Sequence, residues 1–218
     1  MTLAASVVLL VSASCASKTV SLQFYDETIT LTPKLIIPEM GVIEYAEGHM
    51  YIGKVVNNRP HGSGKMDFAG SVIVSYEGEW RKSKPHGQGV LIWENNYTVY
   101  SGGFVNGALT GQGKITFGDG TSYEGGYKDG KWTGRGIYIF DGGSYEGDFL
   151  DSLWTGQGRL IYDDGLEYIG GFSQGVWAGE GRLTKQNGDI YEGEFAGGVL
   201  VGGTIAYSNG MTQTVEKK

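Results

Sequence analysis

The chain has 218 residues, with 24 Asp and Glu against 17 Lys and Arg, for a formal net charge of −7. Phosphate contacts supply most nucleic-acid affinity, so an acidic chain without a basic block is a poor nucleic-acid binder. The single cysteine, Cys15, excludes a disulfide within the chain and a zinc site built from several cysteines. The 39 glycines, only 4 prolines and 12% aromatic residues indicate strands and tight turns instead of a disordered linker.

Residues 1–42 are predicted to be an N-terminal segment that precedes the regular part of the chain. Residues 3–16 are apolar and small, with no Lys or Arg before them. Two interpretations stay open for residues 1–16: a capping strand, which we favour, and a signal sequence for export. In an exported protein, Asn96-Tyr97-Thr98 would be the N-glycosylation sequon.

Residues 19–40 alternate loosely between apolar and polar side chains and predict one or two short strands. Pro33 and Pro38 are expected to close this segment. Stacked repeats need atypical ends that cover their open face, and this segment is well placed to cover the first repeat.

Residues 43–210 repeat one phrase, in which a Tyr is followed two residues later by a Gly, with a Gly pair further on. The phrase recurs at steps of 22 to 25 residues, and a fixed period of this size indicates a repeat array. The opening tyrosines are Tyr51, Tyr76, Tyr100, Tyr123, Tyr145, Tyr168 and Tyr191. Residues 43–48 match the second half of a repeat and predict a strand that pairs with the strand at Tyr51. Residues 211–218 are polar and predict a flexible tail.

The repeat that opens at Tyr123 predicts two short antiparallel strands. Tyr123, Gly125 and Tyr127 are spaced by two and therefore share one face of the first strand. A turn region that contains Trp132 follows, and a second strand carries Tyr138. An Asp-Gly turn then leads to the next repeat. The predicted fold class is all-β, an antiparallel sheet of about seven tandem hairpins.

Two rows of side chains keep a fixed distance from the opening tyrosines. Because the Gly between two aromatic residues leaves room for a neighbouring ring, the rings are expected to stack in a continuous row. The row four residues after the Tyr contains Trp80, Phe104, Tyr127, Phe149, Phe172 and Phe195. The row nine residues after the Tyr contains Trp132, Trp154 and Trp177, which are expected to lie on successive turns. These tryptophans predict either a seal between adjacent repeats or a partner-binding strip, since Trp is enriched at binding hot spots.

The pattern Tyr-x-Gly-x-aromatic, followed by Gly-x-Gly, resembles the MORN repeat. The units at Tyr76, Tyr123 and Tyr145 are close to the consensus, with YEGEW and HGQG, YEGGY and TGRG, and YEGDF and TGQG. The resemblance covers residues 43–210, although Val55 replaces an aromatic residue in the first unit and the last unit is degraded. It implies an elongated, curved, single-layer antiparallel sheet.

The resemblance also implies a class of function. MORN arrays are attachment and scaffolding modules of cytoskeletal, ciliary and membrane-junction proteins. Some have been proposed to bind phosphoinositides, and others bind a partner helix or peptide in a concave groove or pair end to end.

No catalytic site is expected in the array. The Gly-x-Gly pairs are periodic and therefore structural, and residues 59–66 lack the leading Gly and the hydroxyl of a phosphate-binding P-loop. A ladder of near-identical units offers no unique cleft for a pair of catalytic carboxylates. We therefore predict a protein that is not an enzyme and that has no cofactor or metal site.

The leading hypothesis is a cytoplasmic scaffold whose aromatic groove docks a helix or extended segment of a larger protein partner, in a cytoskeletal or ciliary assembly. Both aromatic rows are the predicted partner-binding residues. One alternative is an organiser that binds phospholipid head groups at a membrane surface, for which Arg81, Lys82 and Lys84 form the densest basic cluster. The other is an exported repeat protein. A homodimer is compatible with the resemblance, and nucleic acid is not an expected partner.

Overall fold

A computed structural model describes residues 20–24, 27–94 and 98–217 of the chain. Within these ranges the regular elements are β-strands and one turn of 3-10 helix at Pro38–Met40. The predicted all-β class is therefore confirmed. The signal sequence or capping strand predicted in residues 1–16 lies outside the described residues, as does Asn96 of the sequon.

Nineteen strands follow one another along the described chain. They are β1 (Val20–Phe24), β2 (Glu27–Leu31), β3 (Pro33–Ile37), β4 (Val42–Tyr45), β5 (Met50–Val56), β6 (Arg59–Asp67), β7 (Ile73–Arg81), β8 (Lys84–Trp93), β9 (Val99–Val105), β10 (Ala108–Thr116), β11 (Ser122–Lys128), β12 (Lys131–Phe140), β13 (Gly143–Leu150), β14 (Leu153–Tyr162), β15 (Glu167–Ser173), β16 (Val176–Thr184), β17 (Ile190–Ala196), β18 (Val199–Ala206) and β19 (Thr212–Val215).

The strands belong to two compact units. The first unit comprises the chain up to residue 119 together with residues 127–130, and the second comprises residues 120–126 together with 131–218, so that the division falls within β11. In the first unit β1 pairs with β2, and each strand from β3 to β9 pairs antiparallel with the next. In the second unit each strand from β12 to β18 does the same. The predicted tandem hairpins are confirmed, and so is the pairing of the strand at Ile43 with the strand at Tyr51.

The structure differs from two expectations at the ends of the chain. Residues 19–40 hold three strands instead of one or two, because Pro33 opens β3 and does not close the segment. A first strand position suits proline, which has no N–H to give to the ladder. The predicted flexible tail contains β19, in which Thr212 lies opposite Ala206 and Thr214 opposite Thr204. These β-branched residues favour the extended conformation.

The hairpin within each repeat turns over two residues. Asp151 and Ser152, for example, both take positive φ angles, 50° and 67°, between β13 and β14. Turns of this kind match the right-handed twist of the flanking strands. Because the turn is so short, the following strand begins at once and includes Trp154 as its second residue. The prediction that the row of tryptophans lies in a turn region was therefore wrong.

The opening tyrosines anchor the core. Six of them have no measurable exposure: Tyr51, Tyr76, Tyr100, Tyr123, Tyr145 and Tyr168. In every one the hydroxyl donates to the backbone carbonyl three residues later, at distances of 2.8 to 3.1 Å. A buried phenol therefore keeps a hydrogen-bond partner in each repeat, which removes the penalty for burying its polar atom.

Glycines make room for these rings. A Cβ atom on Gly158 would lie 2.5 Å from the Tyr145 ring, and one on Gly147 would lie 2.4 Å from the Tyr145 hydroxyl. Gly147 and Gly158 face each other across β13 and β14. The Tyr145 ring therefore lies flat against the backbone of these two glycines and fills the space between Tyr145 and Phe149 on this sheet face.

The rings form a row within each unit, as the sequence predicted. In the second unit Tyr145 contacts Phe149 of its own repeat and Phe172 of the next edge-to-face, with centroids 5.2 and 5.0 Å apart. In the first unit Tyr76 makes the same two contacts with Trp80 and Phe104, both at 5.0 Å. Edge-to-face pairs of this kind contribute about 0.5–1.5 kcal/mol each beyond area burial.

Candidate partner-binding surface

Six of the nine predicted partner-binding side chains are core residues. None of these six is more than 5% exposed. Trp80, Phe104 and Tyr127 lie in the first unit, and Phe149, Phe172 and Phe195 lie in the second. Each packs against the opening Tyr of the preceding repeat, at centroid distances of 4.9 to 5.4 Å. Their first role is therefore to hold the opening tyrosines in place.

The three predicted tryptophans are half-buried and lie together in the second unit. Each stacks flat on the opening Tyr of its own repeat. Trp132 lies 4.1 Å from Tyr123, Trp154 lies 4.5 Å from Tyr145 and Trp177 lies 4.6 Å from Tyr168, with interplanar angles of 8° to 11°. One face of each indole thus covers the core, while the ring as a whole stays only half-buried.

Three further rings, which were not among the residues predicted from the sequence, continue this surface. Tyr138 and Phe140 are half-buried, and Tyr162 is 36% exposed. Trp132 lies 5.2 Å from Tyr138, which lies 5.5 Å from Phe140. Phe140 in turn lies 6.2 Å from Trp154 and 5.8 Å from Tyr162. We call these six side chains the open ring surface: Trp132, Tyr138, Phe140, Trp154, Tyr162 and Trp177.

Two of these three further rings belong to a periodic row that is visible in the sequence. Phe140 and Tyr162 each stand 17 residues after an opening Tyr, and so do Phe68, Trp93 and Phe117 in earlier repeats. This third periodic row lies on the same sheet face as the opening tyrosines. Tyr138 lies opposite Tyr145 in the neighbouring strand, and Phe140, two residues after Tyr138, shares its face.

Most of the same repeat positions are closed in the first unit, the exception being Phe117, which is half-buried. Pro60, Pro85 and Leu109 take the place of the tryptophans and are buried. Phe68 and Trp93, at the position of Phe140 and Tyr162, are only 6% and 8% exposed. Within the described chain, the second unit therefore exposes more aromatic surface at these repeat positions than the first unit does.

The opposite sheet face carries charged residues that pair with one another. Arg135 lies 3.6 Å from Glu146, and Arg182 lies 3.4 Å from Glu192. Both glutamates directly follow an opening Tyr and are exposed. Exposed ion pairs contribute at most about 1 kcal/mol each, so this face is a solvated surface and adds little to stability.

Burial raises the pKa of the opening tyrosines, because the ionised phenolate loses its hydration in the core. The pKa rises to about 12 for Tyr51, Tyr123 and Tyr168. It rises further for Tyr76, Tyr100 and Tyr145. All six are therefore neutral hydrogen-bond donors at physiological pH.

These shifts predict a loss of stability in alkali. A tyrosine in the unfolded chain ionises near pH 10, whereas the buried rings ionise only near pH 12. The stabilisation is complete below pH 10, and it falls as the pH rises through the folded-state values. Urea unfolding at a series of pH values should show a constant free energy up to pH 10 and a steady decrease above it. The absorbance of tyrosinate, measured against pH in the folded chain, provides a check. If all 14 tyrosines ionise near pH 10 while the chain is still folded, the burial described here is contradicted.

Among residues 20–24, 27–94 and 98–217, no cluster of three or more His, Cys, Asp or Glu is arranged to hold a metal ion. Helices that are long and apolar enough to cross a membrane are also absent from the described part of the chain.

The chain is similar to a known family of repeats and to a solved structure. The family model described as MORN repeat matches residues 51–71, 76–96, 100–122, 123–144, 145–167 and 168–190. A solved structure, the TCP domain of SAS-4 (dCPAP) of Drosophila melanogaster in complex with a proline-rich motif of Ana2 (dSTIL), aligns with 97% of this chain and 97% of its own. Its sequence identity is 13% and its TM-score is 0.41. The six matched segments span more than half of the sequence, so the chain belongs to the MORN-repeat family.

Proposed function

We propose that this protein is a non-enzymatic scaffold that docks a helix or extended segment of a larger protein partner, in a cytoskeletal or ciliary assembly. The observation that carries the proposal is the open ring surface, in which three tryptophans each keep one ring face on the core and leave the remainder exposed. Membership of a family of repeat modules that serve attachment supports it.

The arrangement suits binding for two physical reasons. Tryptophan buries a large apolar area at small cost in side-chain entropy, and binding hot spots are enriched in it. The rings are also held rigid before a partner arrives, because Trp154 stacks on Tyr145 and meets Phe172 edge-on at 5.9 Å. A preorganised surface loses less conformational entropy on association. In this proposal the buried rings, such as Phe149, support the tryptophans and meet a partner only at their edges.

Replacing tryptophan by leucine tests the surface without emptying it. Leucine stands naturally at the tryptophan position in two repeats, as Leu109 and Leu200. The Trp154→Leu, Trp177→Leu double variant should stay folded and lose its partners. Proteins captured by the wild-type chain should be re-tested one by one with purified components, and their affinity should fall by at least about tenfold, as expected for two hot-spot residues.

A double variant on the opposite face is the matched control. Ile137 and Ile169 are 45% and 47% exposed there, so Ile137→Ala, Ile169→Ala should leave partner affinity within about twofold. Light scattering should accompany both, since a second copy of the chain is one form that the partner could take. Full affinity in the folded tryptophan variant would reject the proposal.

A second candidate function, binding of phospholipid head groups, is favoured by one local feature. Lys82 lies in the two-residue turn between β7 and β8, and Arg81 and Lys84 flank this turn. The N–H of Ser83 in the turn donates to the carbonyl of Pro60 at 3.0 Å. This hydrogen bond brings Arg59, which opens the neighbouring strand, close to the basic turn. Flotation with phosphoinositide vesicles at low salt should recover the wild-type chain and not an Arg81→Gln, Lys82→Gln variant. If the wild-type chain does not float with the vesicles, this candidate function is rejected.

A further inference from the structure

The open ring surface belongs to the unit that carries nearly all of the net charge. The second unit has 13 Asp and Glu against 7 Lys and Arg, which gives it a formal charge of −6 out of −7 for the whole chain. A field of this sign favours the approach of a cationic segment and disfavours an acidic one. Charge therefore narrows the class of partner that the rings can take.

Acidic residues directly follow two residues of the open ring surface in the sequence. Phe140 is followed by Asp141 in the turn after β12, and Tyr162 is followed by Asp163 and Asp164 in the turn after β14. The two turns are neighbours, because the Asp163 N–H donates to the carbonyl of Gly142 at 2.9 Å. All three aspartates are exposed. A basic side chain that lies on Tyr162 would thus have carboxylates beside it.

The chain already places one cation on this sheet face. Lys185 stands 17 residues after Tyr168, the same repeat position as Phe140 and Tyr162. Its Nζ atom lies 4.3 Å from the centroid of the Tyr191 ring and also donates a hydrogen bond to the Tyr191 hydroxyl at 3.0 Å. Negative charge on the face of an aromatic ring attracts ammonium and guanidinium groups at this distance. The repeat geometry is therefore compatible with a cation lying on a neighbouring ring.

We infer that the open ring surface recognises a basic segment of a partner protein, whose Arg or Lys side chains stack on the half-buried indoles while its backbone crosses the sheet. The inference rests on the proposed function, in which this surface docks a protein segment, and adds the chemistry of that segment. Arginine suits the surface best, because its planar guanidinium stacks on aromatic faces and is weakly hydrated. The aspartates of the two turns receive cationic groups that extend beyond Tyr162.

An unbiased peptide selection tests the inference separately from the proposed function. A fully random displayed peptide library is selected against the full chain, with the Trp154→Leu, Trp177→Leu variant used to remove peptides that bind elsewhere. The expected result is enrichment of Arg and Lys among the ring-dependent peptides. Ring-dependent peptides without basic residues overturn the inference and leave the proposed function standing. A selection that yields no ring-dependent peptide overturns both.

Two variants then measure the contribution of cationic stacking with a synthetic copy of the strongest peptide. Trp154→Leu keeps an apolar side chain but removes the π face, and should weaken binding by about 5- to 30-fold. Tyr162→Lys places the residue of a neighbouring repeat on the surface, and should weaken binding through repulsion of the peptide. Unchanged affinity in both variants contradicts cationic stacking.

Charge removal in the ligand and charge removal in the protein provide the matched comparison. The peptide with each Arg replaced by Gln should bind at least about tenfold more weakly. Asp163→Asn, Asp164→Asn should weaken binding roughly threefold at low salt and not at high salt, because the Coulomb attraction is screened. Glu146→Gln, Glu192→Gln removes the same charge from the opposite sheet face and should have a smaller effect. Equal effects of the two double variants would place the peptide elsewhere.

Discussion

Tyr145→Ala should destabilise the protein by about 3–5 kcal/mol, the usual cost of removing a large buried aromatic side chain. The ring has no measurable exposure and contacts Phe149, Trp154 and Phe172. Its removal leaves a cavity at the point where three neighbouring rings meet. Urea denaturation followed by far-ultraviolet circular dichroism measures the change.

Tyr145→Phe is the control for this prediction. It keeps the ring and removes only the hydroxyl, which donates to the Asp148 carbonyl at 3.1 Å. The expected cost is about 1 kcal/mol, the net value of one hydrogen bond. A phenylalanine variant as unstable as the alanine variant would show that the hydroxyl, and not ring packing, holds the repeat together.

Gly158→Ala should cost about 2–3 kcal/mol although it adds a single methyl group. The new Cβ atom would lie 2.5 Å from the Tyr145 ring, far inside van der Waals contact, and the ring has no free space to move into. Overpacking of a closed core has costs of this size. The same denaturation measurement applies.

Two comparisons separate a clash from a general intolerance of side chains. In a Tyr145→Ala background the methyl group has room, so Gly158→Ala should add little further cost, a non-additivity that residues in contact show. Gly175→Asn is the second comparison, since no atom lies within 4 Å of its Cβ position and asparagine tolerates its φ of 83°. We expect a change below about 1 kcal/mol there. Strictly additive costs for the Tyr145 and Gly158 substitutions would contradict the packing described.

Much of the fold follows from the spacing of a few residue types. The recurrence of Tyr, Gly and a second aromatic residue at fixed positions specified the antiparallel hairpins and the edge-to-face row, because alternate residues share a sheet face. The spacing did not reveal how short the turns are. Asp151 and Ser152 are ordinary polar residues whose positive φ angles depend on the flanking strands. For this reason Trp154 was assigned to a turn when it is the second residue of β14.

The candidate site was less predictable than the fold. Phe149 and Trp154 belong to equally regular rows, yet one is 2% exposed and the other is half-buried. Periodicity assigns a residue to a face, while its exposure depends on which neighbours cover that face. Likewise Trp93 and Tyr162 occupy the same repeat position, with exposures of 8% and 36%. Pattern alone therefore overestimated the accessible residues in the first row and missed accessible ones in the third.

Fluorine NMR of the full chain labelled with fluorotryptophan tests the central claim most directly, because all five tryptophans report at once. Trp80 and Trp93 are 2% and 8% exposed, whereas Trp132, Trp154 and Trp177 are half-buried on the open ring surface. Single Trp→Leu variants assign the resonances. Addition of a bound partner or selected peptide should shift the resonances of the three surface tryptophans and leave those of Trp80 and Trp93 in place. Saturating binding that leaves the three surface resonances unmoved would contradict the account.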